Sequence, residues 1–539
     1  MRCREACGIS QPCRDQVLPT EGCLHVITAD TGITINGQLQ LMVNAGLNHI
    51  PMKALDESVV LEEVELIVDN ILATSRCDME LSMEEEREVK KVVMRDAEKR
   101  MREYRISHRH IVEEPFNSIA VRSEVEWPTK RFLVCPTDKA PHTPTFVCVN
   151  FIRKLALARV SGLDFGQLPG QTSVVAARLK EEANAIAPIG AATDKMPLPH
   201  LMVVYKAHKE TFRWITNTVG NVLSGVADVC ACLLKLLSLD VQALCASKSD
   251  AIFEERGVRP NFWWPIVSVG EFMANLPRHV YSVFTGDITR CFETIPTDGS
   301  QDGLISAIRF FVQCAMEWRR ARTTKDVIAI MVAANDSLHP YWVDSAQCRD
   351  RERLYFDEDG IVKACEWLVS NGVVQLGDRV WRQVLGITMG LACFPILCDI
   401  YFFKYEFQLI SHLADEQDWQ ALKCFKETNR YIDDLCALNN TLISGFLNNG
   451  VPGQDATRKI YPHGFIEVKE TMQVKEDGQG IVASFLNVFL SIISTMSGSY
   501  ATSKHDKKKG LSFPPVRFMK FKSNRSIAQS LQILTAQTV

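Results

Sequence analysis

The stretch RYIDDLCAL (430–438) constrains this chain more than any other, because two adjacent acids, Asp433 and Asp434, stand between apolar, β-prone flanks. The pattern predicts a strand–turn–strand with carboxylates at its tip. Adjacent carboxylates repel each other and lose hydration beside buried flanks, so they call for cations alongside. Hard divalent ions with oxygen ligands answer that need. An exposed acidic hairpin without chemistry would carry the same string, so the pair must be read together with its surroundings.

Three other segments shift the balance. YSVFTGDITRCFETIP (281–296) sets Asp287 at the end of an apolar run, with Phe292 five residues on. An Asp at a strand end can offer a metal its carboxylate and a neighbouring backbone carbonyl, here that of Ile288; it could equally cap a helix or close a turn. VLGITMGLACFPILCDIYFFKYEF (384–407) places Gly386 and Gly390 ahead of a helix that carries Ile400, Phe403, Phe407 and Ile410 at i, i+3, i+7 and i+10. Such glycines let backbone approach a flat ligand closely, although a buried helix with a flexible lead-in would look the same. YKAHKETFRWI (205–215) groups Lys206, Lys209 and Arg213 on a hairpin, a set suited to a triphosphate or simply to a solvated edge strand.

Composition excludes several classes. The chain has 539 residues, 46% hydrophobic and 23% charged, which is globular usage and excludes a collagen-like, coiled-coil or wholly disordered chain. A net charge of −4 does not announce a nucleic-acid binder. Positive charge is nevertheless concentrated in 501–539, where Lys504, Lys507, Lys508, Lys509, Arg517, Lys520, Lys522 and Arg525 face one acid, Asp506. The 18 cysteines are scattered, several inside apolar runs, and the start has no apolar signal region, so a reducing, intracellular protein is expected. Cys3, Cys7, Cys13, Cys23 and His25 contain no C-x-x-C pair and read as a loosely ordered tail ahead of a zinc site. The uncharged apolar stretch between Arg382 and Asp399 has 16 residues, short of the roughly 20 a spanning helix needs, so no membrane segment is expected.

The organisation expected is a Cys-containing tail (1–55), a charged helical region (56–114) and, from about 115 onward, short β-rich runs separated by Pro and Gly. In the helical region Leu61, Val64, Leu66, Ile67 and Ile71 stand at helical spacing. RFLVCPTDKA (131–140) and FVCVNFI (146–152) read as paired strands, 200–218 as two strands around a polar turn, and 372–384 as a hairpin around Gly377-Asp378. Residues 219–247 and 301–335 read as helices, and 336–362 as an inserted loop.

In this order, the basic hairpin, the Asp with an aromatic five residues on, the Gly-rich loop with its helix and the Tyr-x-Asp-Asp string resemble the reverse transcriptases. More narrowly they resemble the Penelope-like retroelement enzymes, relatives of telomerase. FLVCPTDKA (132–140), DITRCFETIP (287–296), CFPILCDIYFFKYE (393–406), RYIDDLCALNN (430–440), IYPHGFIEVKET (460–471), FLNVFLSI (485–492) and KHDKKKGLSFPPVRFMKFKSNRS (504–526) carry the likeness over roughly 130–539. Thr388-Met389 departs from the Pro-Gln found between the loop glycines in many of these enzymes.

The resemblance implies an α+β right-hand polymerase. It would have fingers over 115–280, a palm over 281–495 with an antiparallel sheet backed by helices, and a truncated thumb begun by the basic 496–539. Asp287, Asp433 and Asp434, with the Ile288 carbonyl, would hold two Mg²⁺ (or Mn²⁺) ions. Phe292 would lie under the sugar and favour dNTPs. Lys206, Lys209 and Arg213 would clamp phosphates, Gly386 and Gly390 would approach the nascent pair, and Tyr431 would support the acids' strand. Lys504, Lys507, Lys508, Lys509, Arg517, Lys520 and Lys522 would track an RNA template and DNA primer. It further implies a nuclear setting and a separate endonuclease for integration. Two other readings remain: a non-catalytic retroelement remnant that binds nucleic acid, and an unrelated metal-dependent phosphohydrolase, which leaves the loop glycines and basic hairpin without a role.

Overall fold

A computed structural model describes residues 26–28, 36–50, 56–75, 82–108, 119–188, 197–332, 337–345, 353–447, 459–462, 466–474, 481–506, 511 and 515–516. Cys3, Cys7, Cys13, Cys23 and His25 lie outside the described residues, as do Lys507, Lys508, Lys509, Arg517, Lys520, Lys522 and Arg525. The chain is α+β and divides into two compact units, one of 1–154, 203–213 and 508–539, the other of 155–202 and 214–507.

In the first unit, strands Phe132–Thr137 and Ala140–Cys148 form the expected hairpin, with Val26–Thr28 on its outer side. Residues beyond Cys148 turn into a helix, Val149–Val160, so 149–152 are not strand as their apolar run suggested. Helices Glu57–Ser75 and Met83–His108 pack side by side, and Lys90 pairs with Glu65 and Asp69 at 2.9 and 2.8 Å. The apolar stripe there is shifted from the expected set. Leu61 and Val64 are half-buried and Val68 is buried, while Leu66, Ile67 and Ile71 are exposed, because 61, 64 and 68 share one face at 3.6 residues per turn.

The second unit is built on a four-stranded antiparallel sheet: β1 (Val283–Ile288), β2 (Thr428–Tyr431), β3 (Asp434–Leu438) and β4 (Val468–Glu470), in the order β2-β3-β1-β4. Its strand side chains alternate between two cores. Phe284, Ile288, Leu435 and Ala437 enter the larger core, made by helices α1 (Ser224–Arg256), α2 (Leu304–Arg320), α3 (Glu358–Ser370) and α4 (Phe394–Asp415). Val283, Cys436 and Leu438 face the opposite way, against Phe485, Val488, Leu490 and Ile492 of a second four-stranded sheet that ends with Ser499–Lys504.

The helix expected over 219–247 runs to Arg256, where Gly257 at φ 68 stops it. The one expected over 301–335 ends at Arg320, and Val327–Val332 is a strand. Its β-branched residues pair with Leu338–Val343 and Leu354–Phe356, so much of the supposed inserted loop is a small sheet. The 372–384 hairpin forms as read, with Gly377 at φ 65 in its turn. Among the described residues α1 alone is long and apolar enough to cross a membrane; Leu233, Leu234, Leu237 and Val241 on it are buried in the helical core. The described cysteines are free thiols, most of them buried.

Candidate active site

Antiparallel pairing of β1 with β3 sets Asp434 directly opposite Asp287. Directly opposed residues have Cβ atoms about 4.5–5.5 Å apart on one face of a sheet. That face is the one carrying Val283, Cys436 and Leu438, covered by the second sheet at its other end. At the acid end Asp287, Asp433 and Asp434 are only half-buried. Asp287 and Asp434, 147 positions apart, therefore meet through sheet register alone. On the other side of β1, exposed Lys469 of β4 is the register partner of Asp287, so a basic residue lies directly across the strand pair from it.

Asp433 sits in the two-residue turn between β2 and β3, and its carbonyl accepts a 2.8 Å hydrogen bond from the Ile288 amide. The other turn residue, Ile432, has φ 55. A β-branched side chain in the left-handed region is strained and persists only where its surroundings over-determine it. Those surroundings begin with Arg430, which is fully buried and bonds the Ile432 carbonyl at 3.2 Å. Ile288 buries its side chain in the larger core, leaving only its backbone to meet a metal.

Phe292 follows on the short helix Cys291–Thr294 and packs partly buried against the same core. The Gly-rich loop lies against that helix: Gly386 N–H donates to the Ile295 carbonyl at 2.8 Å and Ile387 N–H to the Phe292 carbonyl at 2.7 Å. Gly386 has φ 79, and a Cβ there would stand 2.5 Å from the Phe292 oxygen. At Gly390, φ 136, a Cβ would collide with the Thr216 carbonyl, while Thr216 N–H donates to Met389 O at 2.9 Å and Thr218 Oγ1 to Gly390 O at 2.6 Å. Both glycines thus answer first to the chain's own backbone. Asp287, Ile288, Phe292, Asp433 and Asp434 share one neighbourhood, and the loop joins it through Phe292.

The basic hairpin belongs to the first unit. Arg213 pairs with Asp138 at 3.4 Å, and Lys206 and Lys209 stand near His208 together with Lys139. Partial burial, then Lys139, holds the His208 imidazole below its ordinary value, and Lys209 and Lys206 add to this. Lys139 and His208 join this cluster without having been singled out in the sequence. Lys504 is exposed at the end of Ser499–Lys504, opposite Val488.

The chemistry of the donor set is that of hard oxygen ligands. Among the described residues no three of His, Cys, Asp and Glu form a ready metal cage. Mg²⁺ does not require one, since it commonly takes one or two carboxylates and completes its shell with water and substrate phosphates. A cavity of about 830 Å³ lined by Arg259, Arg278, Tyr281, Lys426 and Asn439 opens at the other end of the strands. Five residues of strand, roughly 16 Å, separate Asp434 from Asn439 there.

No protein-family model and no curated protein matches the chain. Solved telomerases bear a distant likeness. The Candida albicans telomerase, in complex with the TWJ fragment of telomeric RNA, aligns with 85% of this chain and 62% of its own at 11% identity and a TM-score of 0.41. The Candida tropicalis telomerase with the same kind of fragment aligns with 82% and 59% at 12% identity and 0.43. Its apo form aligns with 76% and 59% at 11% identity and 0.38. The chain spans about three fifths of the length of these telomerases. At such values no residue's role is carried across.

Proposed function

We propose that this chain is an RNA-directed DNA polymerase that adds deoxynucleotides to a primer 3′-hydroxyl. The observation that carries this reading is the direct pairing of Asp287 with Asp434 at the open end of the sheet, with Asp433 on the adjoining turn. Two Mg²⁺ (or Mn²⁺) ions, when bound, supply activation of the 3′-hydroxyl and stabilisation of the departing pyrophosphate. Asp287, Asp433 and Asp434 hold them, with the Ile288 carbonyl as a further oxygen. Phe292, on the short helix that follows the Asp287 strand, sits under the sugar and disfavours a 2′-hydroxyl. The loop around Gly386 and Gly390 supports the nascent pair through its backbone. Lys206, Lys209 and Arg213 are the cations assigned to the triphosphate, and the basic 504–522 stretch to the phosphate backbone, a binding that weakens as salt rises.

Membership of the Penelope-like group and a nuclear setting belong to the same proposal and rest on the family resemblance. The test is primer extension on an RNA template with dNTPs and Mg²⁺ or Mn²⁺, beside Asp433→Ala/Asp434→Ala. Template-dependent extension lost in the double variant is the expected result. Primer–template binding without extension by either protein would replace this reading with that of a nucleic-acid-binding remnant.

A further inference from the structure

The strained turn that carries Asp433 is gripped by a buried charge network that the polymerase reading leaves unused. Arg430 stands next to last in β2, its side chain fully buried, and a guanidinium has five N–H donors in a fixed fork. All five are engaged. Nε and Nη2 bond the two carboxylate oxygens of Glu406 at 2.6 and 3.2 Å. Nη1 bonds Asp399 Oδ1 at 2.6 Å and the Ile432 carbonyl at 3.2 Å, and Nη2 also reaches the Asp399 carbonyl at 3.1 Å. Tyr461 donates its hydroxyl to Glu406 Oε1 at 2.8 Å. The Arg430 backbone is pinned as well, its N–H to Trp264 O and its carbonyl to Ile266 N–H, each at 2.8 Å.

Buried charge of this kind is costly, and apolar residues of the same volume often serve a core better. What the network does that apolar packing could not is fix a backbone carbonyl inside the acid turn. We propose that Arg430 is a positioning residue, clamped by Glu406 and Asp399 of α4, which through the Ile432 carbonyl sets the turn on which Asp433 and Asp434 meet Asp287. Residues that orient metal-holding groups from behind control metal affinity as well as activity. This inference rests on the polymerase reading.

The test compares the full chain with Arg430→Lys, which keeps the charge and loses the fork, and with Tyr461→Phe, which removes one bond from Glu406 and leaves all five Arg430 donors in place. Mn²⁺ affinity is measured by electron paramagnetic resonance without nucleic acid, unfolding by thermal denaturation, and primer extension across a Mg²⁺ titration. Arg430→Lys is expected to bind Mn²⁺ about tenfold more weakly and to need correspondingly more Mg²⁺ for half-maximal extension. Tyr461→Phe is expected to shift both in the same direction by about two- to threefold. A guanidinium serving only the core would lower the unfolding midpoint and leave Mn²⁺ affinity alone. Folded Arg430→Lys with wild-type Mn²⁺ affinity overturns the positioning role; should that variant not fold, wild-type Mn²⁺ affinity in Tyr461→Phe overturns it. A wild-type chain that neither binds Mn²⁺ nor extends a primer overturns the polymerase reading itself.

Discussion

Asp287 and Asp434 face each other across neighbouring antiparallel strands, so two like charges are held on one face at the open end of a buried sheet. Such an arrangement costs stability in the absence of cations. Replacing Asp434 with Asn should therefore leave the metal-free unfolding midpoint unchanged or raise it, while cutting primer extension at least about a hundredfold, the loss expected when several kcal/mol of metal-borne stabilisation goes. Parallel thermal denaturation and extension assays check this. A variant that is both inactive and destabilised would make the acids structural.

Lys469 offers a second test, because it is the register partner of Asp287 from β4 and is exposed. An opposed Lys–Asp pair in a sheet contributes about 0.2–1 kcal/mol, so Lys469→Ala should barely move the unfolding midpoint. Its effect should fall on catalysis, with extension reduced about tenfold, as for a charge placed beside developing negative charge. Lys469→Glu should be worse than Lys469→Ala, since it adds a fourth acid beside Asp287, Asp433 and Asp434. Equal extension rates for wild type and Lys469→Ala would leave this lysine outside the site.

How much of this could be read from the sequence depended on how local each signal was. The acid hairpin, the Asp287 strand end, the α4 stripe and the 372–384 turn are all encoded within a dozen residues, and each forms as its pattern demands. Lys469 was invisible because its strand is three residues long and meets β1 from nearly two hundred residues away. The charge network was half visible. Asp399, Lys404 and Glu406 interrupt an otherwise apolar helix, which signals buried partners, but only the fold names Arg430 and Tyr461. The small sheet at 327–356 was missed because β-branched Val327–Val332 follows a helix with no Gly or Pro between them to mark the change.

Gly386 tests whether the loop glycines serve the fold or a ligand. An added Cβ would stand 2.5 Å from the Phe292 oxygen and 2.7 Å from Glu293 Cα, at a φ of 79 that side chains avoid. Backbone cannot yield as a flexible side chain does, so Gly386→Ala should cost about 1–3 kcal/mol. Gly377→Ala is the control, with a similar φ of 65 and nothing within 4 Å of an added Cβ. It should cost about 1–2 kcal/mol, the left-handed penalty alone. Urea midpoints for the two variants decide it, and equal losses would remove the steric account of Gly386.

Asp399 gives the network a pH signature. Burial pushes its carboxyl up to about 6, outweighing the attraction of Arg430, and Glu406 adds to the rise. About a quarter of the side chain still reaches solvent, so a proton can come and go without unfolding. The folded value lies above the ordinary 3.8, so as pH falls through 6 the folded chain takes up a proton that the unfolded chain does not. Stability from this group therefore grows as the medium is acidified from pH 7 to 5, by about 1 kcal/mol, and is absent above pH 7. Other carboxylates contribute opposite slopes, so the quantity to measure is the difference between wild type and Asp399→Asn. Denaturant unfolding at pH 5, 6 and 7 should show the wild type gaining about 1 kcal/mol on the variant over that interval. A constant difference across the three would mean that Arg430 holds Asp399 charged throughout, with the ion pair stronger than its burial.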